Sequence, residues 1–230
     1  MGVTLRELIA PLDDSQLAMS ELRASQGTTV RIGDPTSETL LYVFDGSGSL
    51  ETPGGAHAVE RGSAAFVAAG AEASLVAGPD GLAAVNATVG PDVDRHAPIG
   101  PLETVVHLDS ADAGKATGAR SFQVLFGPHN GSTPATLFAG FIPPGKAPWH
   151  YHLYDEIVWV PDGPGRLHVG DSTEELGAGS AFRLRPRQVH IVQNLSAEHE
   201  LMVIGVFTPA GSPSAAYLTP DVAAEYRFAE

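Results

Sequence analysis

The strongest constraint on what this chain can fold into is a repeat. The string Asp45-Gly46-Ser47-Gly48-Ser49-Leu50 returns as Asp162-Gly163-Pro164-Gly165-Arg166-Leu167, and the turn Gly62-Ser63-Ala64 returns as Gly179-Ser180-Ala181. Both pairs are separated by 117 positions (45 to 162, 62 to 179), so the register survives from one landmark to the next without a gap. A preserved offset of this kind predicts one structural unit built twice. The intervening texture is β-like. Short runs such as Thr39-Leu40-Leu41-Tyr42-Val43-Phe44 and Ser121-Phe122-Gln123-Val124-Leu125-Phe126 are bounded by Asp-Gly, Gly-Ser-Gly and Pro-Gly-Gly turns. With 26 Gly and 18 Pro in 230 residues the chain is too punctuated for a helical bundle, and at 43% apolar it is too greasy to stay disordered.

Texture changes divide the chain into five segments. Residues 1–27 read as an N-terminal extension, where Leu5, Leu8, Ile9, Leu12, Leu17 and Leu22 around Pro11 suit one or two short helices. Residues 28–90 form the first β unit, and 91–120 a Pro-rich, polar connection. Residues 121–218 form the second unit, and 219–230 a short helical tail.

Charge narrows the partners. Thirteen Lys and Arg against 27 Asp and Glu give a net charge of −14, which repels phosphate backbones and anionic lipid headgroups. Neither nucleic acid nor a membrane surface is expected as a partner. The chain has no cysteine, so any metal must be held by histidine and carboxylate. Arg6, Glu7, Asp13 and Asp14 interrupt the apolar residues of the N-terminus, and no apolar run is long enough to cross a bilayer. A cytoplasmic protein is expected.

The chemistry-bearing residues gather in the second unit. In an extended strand His150 and His152 share a face, and Glu156 can rejoin that face after a bend. A later strand ends in His190, followed by Asn194. Ordinary packed histidines explain a lone His better than four candidate ligands in order.

The spacing G-x-x-x-x-H-x-H-x-x-x-E-x-x-x-x-x-x-G from Gly145, followed by G-x-x-x-x-x-x-P-x-x-x-H-x-x-x-N from Gly179, resembles the two motifs of the cupin superfamily. Together with the repeat, the resemblance implies an all-β bicupin, two tandem cupin jelly-roll barrels with short flanking helices. It also implies that His150, His152, Glu156 and His190 hold one divalent metal inside the second barrel. One departure is Gln188, where the family's second motif usually has Gly. Three imidazoles and a carboxylate suit octahedral Fe(II) or Mn(II), with Ni(II) and Co(II) next and Zn(II) or Cu(II) less cleanly matched. Two coordination positions then remain for a small oxygen-bearing substrate, or for substrate plus dioxygen.

The positions 117 residues before the four ligands are Gly33, Pro35, Thr39 and Ala73, none of which supplies an imidazole or carboxylate. Glu38 and His57 lie nearby without companions and read as surface residues. The first unit is therefore expected to be metal-free and structural.

Strand parity assigns the neighbours. Phe182 and Leu184 share parity with His190, which sends Arg183, Arg185 and Arg187 to the opposite side and argues against their clamping a substrate. Val158 and Val160 follow Glu156 inward, whereas Ile157 and Trp159 face the other unit or another subunit. His168 reads as part of a solvated face. Trp149, Tyr151 and Tyr154 flank the ligands as pocket rim or as packing. Gln188, Asn194, Gln123 and His129 are further candidates for touching the ligands or the substrate.

The superfamily hosts dioxygenases, isomerases, epimerases, hydrolases, lyases and non-catalytic binding proteins. The expected function is a metal-dependent dioxygenase acting on a small oxygen-bearing metabolite. The alternatives are a Lewis-acid isomerase, hydrolase or lyase, and a small-molecule-binding protein without turnover. Monomer and homodimer both satisfy the sequence.

Overall fold

The computed structural model describes residues 2–116 and 119–219. Its described residues contain no α-helix, only strands and one 3-10 turn, Leu108–Ser110. The first half runs through β1 (Val3–Ile9), β2 (Leu17–Ala24), β3 (Thr29–Ile32) and β4 (Glu38–Thr52). It continues with β5 (Gly55–Glu60), β6 (Ser63–Val67), β7 (Ala73–Val89) and β8 (Val105–His107). The second half opens with β9 (Ala113–Lys115), β10 (Ser121–Phe126), β11 (Thr136–Ile142), β12 (Gly145–Lys146) and β13 (His150–Tyr151). Next come β14 (Asp155–Trp159), β15 (Gly165–Val169), β16 (Ser172–Leu176) and β17 (Ala181–Leu184). The described chain closes with β18 (His190–Asn194), β19 (Leu201–Thr208) and β20 (Tyr217–Leu218).

Every strand pair among the described residues is antiparallel, as a jelly roll requires, and the repeat holds down to hydrogen-bond register. Gly48 pairs with Ala77 and Val59, and 117 residues on Gly165 pairs with Asn194 and Leu176. Thr39 faces Val67 as Glu156 faces Leu184. The halves differ at their corners. In the first, β4 and β7 run through the bend unbroken, β4 with register shifts around Asp45 and Gly46, and join eight strands into one sheet. Gly46 makes this possible: its φ is +73°, and a Cβ there would overlap the Gly81 carbonyl. In the second, the matching stretches break into β14 and β15 and into β18 and β19, leaving two six-stranded sheets.

Both faces of the central strands are apolar because each lies between two cores. Leu41 and Val43 fill the interior of the first unit, while Leu40 and Tyr42 on the same strand join a cluster between the units. Val158 and Val160 fill the second unit, and Ile157 and Trp159 enter that same inter-unit cluster. The outer face of β14 thus meets the other unit of its own chain.

Three expectations need correction. Thr4 to Ala24 is not helical: β1 and β2 are strands of the first sheet, and β2 pairs with β7 over eight residues. The burial pattern of β2 alternates, Leu17 and Met19 facing the inter-unit core, and the small residues Ala18 and Ser20 between them hide that alternation in the sequence. A cross-strand pair, Arg6 to Glu21 at 2.6 Å, ties β1 to β2. The stretch 91–120 is more than a connection, since β8 pairs with β6 in the first sheet and β9 with β10 in the second half. Glu38 is buried rather than on the surface; it accepts hydrogen bonds from Arg95 at 2.7 Å and Ser132 at 2.9 Å, joining first unit, connection and second unit. His57 is half-buried on β5. The expected helical tail, from residue 220 onward, lies outside the described residues. No helix among the described residues is long and apolar enough to cross a membrane.

Candidate metal centre

The interior of the second unit holds a cavity of about 80 Å³. His150, His152, Glu156 and His190 all line it, each no more than 6% exposed. Their convergence follows from the ladder. β13 and β18 place His150 directly opposite His190, and β14 brings Glu156 in beside Leu184 of β17. Gly205 of β19 clears the space behind: a Cβ there would overlap the Phe138 ring and approach Glu156 Oε1 to 3.1 Å.

The ring of His190 lies 4.4 Å from that of His150 and 4.8 Å from that of His152, centroid to centroid. Each imidazole is oriented by a backbone carbonyl. His150 Nδ1 donates to Pro148 O at 2.8 Å, His190 Nδ1 to Gln188 O at 2.8 Å and His152 Nδ1 to Tyr154 O at 3.3 Å. A carbonyl can only accept, so Nδ1 carries a proton in all three and Nε2 is left as the atom through which each ring would ligate. Burial, reinforced by the His190 and Arg120 charges, pushes the His150 pKa down to about 2. Burial, with His152 beside it, pushes His190 down to about 4. Both rings are therefore neutral at physiological pH, the state a metal ligand needs.

His152 Nε2 is the most telling atom. It is buried without a hydrogen-bond partner among the described residues, although Glu156 Oε2 stands only 2.8 Å away in an orientation that makes no hydrogen bond. Two lone-pair donors so placed suit neighbouring positions on one ion, since bonds of about 2.0–2.2 Å at right angles put their ligand atoms about 3 Å apart. An orphaned buried donor of this kind costs free energy unless something fills it. The donor set thus fits a divalent cation. The donors are not drawn into a finished cage: among the described residues no group of three or more is, and Arg120 Nη1 sits 3.3 Å from His150 Nε2.

The remaining wall is almost all carbon, with Phe122, Phe138, Val158, Phe182, Leu184 and Val203 among its residues. Apart from the four candidate ligands, its polar groups are Arg120, Ser121 and Tyr154. Tyr154 stacks on His152 at 4.1 Å and on Phe207 at 4.0 Å, which locks the His152 ring in its plane. Burial, with the Glu156 charge, raises the Tyr154 pKa, so its phenol keeps its proton. Across the mouth, β20 pairs with β13, and Pro213 and Ala216 of the approach to β20 line the cavity.

Most of the other candidates lie elsewhere. Gln188 Oε1 accepts from Arg185 N within the turn before His190, where Arg187 takes the positive φ of 65°. Asn194 is buried and holds Ile142 O, His199 O and Ser196 N. Tyr151 stacks on Tyr217, and Gln123 donates to Leu108 O and Ala111 O of the connection. His129 lines a separate cleft beside Asn130, and His168 bonds Gln193 on the outer side. Arg183 and Arg185 point away from the cavity toward the N-terminal segment, where Arg183 donates to Leu17 O and Arg185 pairs with Asp14 and Asp155. Arg120 escaped the sequence reading: it stands one residue before a β run and carries no motif.

Residues 138–207, which include all four candidate ligands, match the family of the cupin domain. Among solved structures, the oxalate decarboxylase of Bacillus subtilis, described with Mn(II) centres, superposes with a TM-score of 0.76 over 100% of this chain and 81% of its own, at 15% identity. The oxalate decarboxylase of Lactobacillus farciminis, in a formate complex, gives 0.76 over 97% and 86% at 14% identity. A putative glyoxylate-induced protein of Pseudomonas aeruginosa gives 0.72 over 90% and 79% at 16% identity. At such identities the likeness is one of fold. Among curated proteins, none matches the chain.

Proposed function

We propose that this protein is a metal-dependent enzyme acting on a small oxygen-bearing molecule, with one divalent ion held by His150, His152, Glu156 and His190. The observation that carries this reading is the set of three Nδ1-anchored imidazoles, each offering Nε2, around a buried carboxylate. Fe(II) and Mn(II) suit the donors best, and the Mn(II) centres of the Bacillus subtilis neighbour support that choice. When bound, such an ion supplies Lewis acidity and, as Fe(II) or Mn(II), redox chemistry with dioxygen.

The chain's own residues contribute confinement. A cavity of about 80 Å³ admits roughly five to eight water-sized groups, which limits the substrate to a handful of heavy atoms. Its largely apolar wall limits the water that can share the space with the reacting atoms. A largely apolar chamber beside a three-histidine, one-carboxylate site suits oxidative chemistry, and a dioxygenase is the first reading. The second is non-oxidative, an isomerase, hydrolase or lyase, and the buried Tyr154 favours it because its phenol stays protonated and can donate a hydrogen bond to a substrate oxygen.

Elemental analysis of protein purified without a histidine tag should find one divalent ion per chain. Oxygen uptake is then measured with a panel of small hydroxy, oxo and dicarboxylic acids, oxalate included. Uptake that depends on the ion supports the dioxygenase. Turnover that persists without oxygen supports the Lewis-acid reading. Protein that takes up no divalent ion overturns both.

A further inference from the structure

We propose that the segment from Ser212 to Leu218 is a gate on the metal chamber, swinging on Gly211 to lift β20 off β13 when an ion or a substrate passes. The gate deepens the metal-enzyme reading and rests on it. Burial creates the need for one. His150, His152, Glu156 and His190 are each no more than 6% exposed, so neither a hydrated ion nor a substrate reaches them unless part of the wall moves. Much of that wall cannot move cheaply, because β11, β14, β18 and β19 are each paired on both sides. Pro213 and Ala216 also line the cavity, but from a segment that crosses its mouth outside the ladders.

The segment's anchors locate the hinge. Its root is fixed: His96 Nε2 donates to Ala210 O at 2.7 Å, and Thr136 Oγ1 donates to Gly211 O and accepts from Gly211 N, both at 3.0 Å. From Ser212 to Ala216, hydrogen bonds among the described residues run only within the segment, Ala215 N to Ser212 O at 3.0 Å and Ala216 N to Ser214 O at 2.8 Å, with Ser212 Oγ and Ser214 Oγ joined at 2.7 Å. The tip is lightly held. β20 opposes β13 at two positions, Leu218 against His150 and Tyr217 against Tyr151, and the two tyrosine rings stack at 5.4 Å. Thr219 N adds a long bond of 3.4 Å to Trp149 O, and Tyr217 is 47% exposed. A firm root, a middle that bonds only to itself and a short exposed tip make this the part of the wall that opens locally at least cost. Closed, it covers the edge of the strand that carries His150 and limits the water in the chamber.

The experiment pins the tip. The chain has no cysteine, and residues directly opposed in an antiparallel pair have Cα atoms about 4.5–5.5 Å apart, within disulfide range. Tyr151→Cys and Tyr217→Cys are combined, and the oxidised and reduced forms of that one protein are loaded with Mn(II) and stripped with excess EDTA. The oxidised form should release the ion at least about tenfold more slowly than the reduced form, since only wider unfolding is left as a route. Tyr217→Ala alone, which removes the ring stack and keeps the backbone pair, should release it about two- to tenfold faster than wild type. Equal release from oxidised and reduced protein, or a Tyr217→Ala protein no faster than wild type, would overturn the gate. Where the disulfide does not form, Tyr217→Ala decides alone. A second arm needs no ion: His150 and His190 of metal-free protein are acylated with diethyl pyrocarbonate, located by mass spectrometry, and should react more slowly in the oxidised form. Such protection in a protein that takes up no Mn(II) sinks the metal reading and leaves the gate standing, whereas equal acylation of both forms overturns the gate whatever the metal content.

Discussion

The histidines of the cavity show how little a metal site asks of sequence and how much of orientation. Spacing alone put His150 and His152 on one face, but it is the three backbone carbonyls of Pro148, Tyr154 and Gln188 that turn lone pairs inward. Removing one such ligand, His152→Ala, should weaken metal affinity by more than the roughly 10–100-fold that loss of an outer partner costs, read as metal content after dialysis. The same residues make the metal-free protein acid-sensitive. In the folded state His150 and His190 resist protonation down to about 2 and about 4, whereas unfolded histidines take up protons near 6.5. Their folded pKa values are depressed, so the unfolded state binds more protons as pH falls below about 6.5, and stability declines from there toward pH 4. Urea midpoints measured in chelator at pH 7.5, 6 and 5 should fall in that order, and a His150→Gln variant should flatten the slope. Arg120 marks the limit of reading at this scale. No spacing rule leads from a lone arginine before a strand to a cavity built by strands far along the chain.

At the scale of elements, strands with two apolar faces decide the architecture. β14 carries Val158 into one core and Trp159 into the other, and Trp159 packs on Phe44 at 4.7 Å between ring centroids. Trp159→Ala should cost about 3–5 kcal/mol in chemical denaturation, because the ring is fully buried between two sheets that cannot both close over the gap. β19 has the opposite problem, too little space. Gly205→Ala drives a methyl into the Phe138 ring and against Glu156, so it should lower stability by about 1–3 kcal/mol and reduce metal content together. The apolar runs that become β4, β10 and β14 are plain in the sequence. β2 is not, because its inward Leu17 and Met19 alternate with small residues that suit either structure, and only its ladder to β7 selects the strand.

For the whole molecule, the repeat matters less as two separate barrels than as two faces that need each other. Leu40, Tyr42 and Val85 from the first half interlock with Leu137, Ile157 and Val206 from the second, and Glu38 ties both to Arg95 and Ser132. Expressed alone, residues 1–110 or 111–230 would each expose that apolar face. Each fragment should aggregate, and co-expression should return soluble protein, as judged by size-exclusion chromatography. Soluble, folded halves obtained separately would show that the shared core is dispensable.

Period and spacing are local properties, and they determined what could be read directly: a duplicated β unit, its offset of 117 residues, and four candidate ligands in order within the second copy. The tertiary structure decided what depends on distant segments meeting. It made strands of the N-terminal residues, buried Glu38, turned the side chains of Gln188 and Asn194 onto backbone groups, and brought Arg120 into the cavity wall beside His150. A side chain's neighbours across a sheet are set by pairing over long sequence separations, and no short-range pattern encodes them.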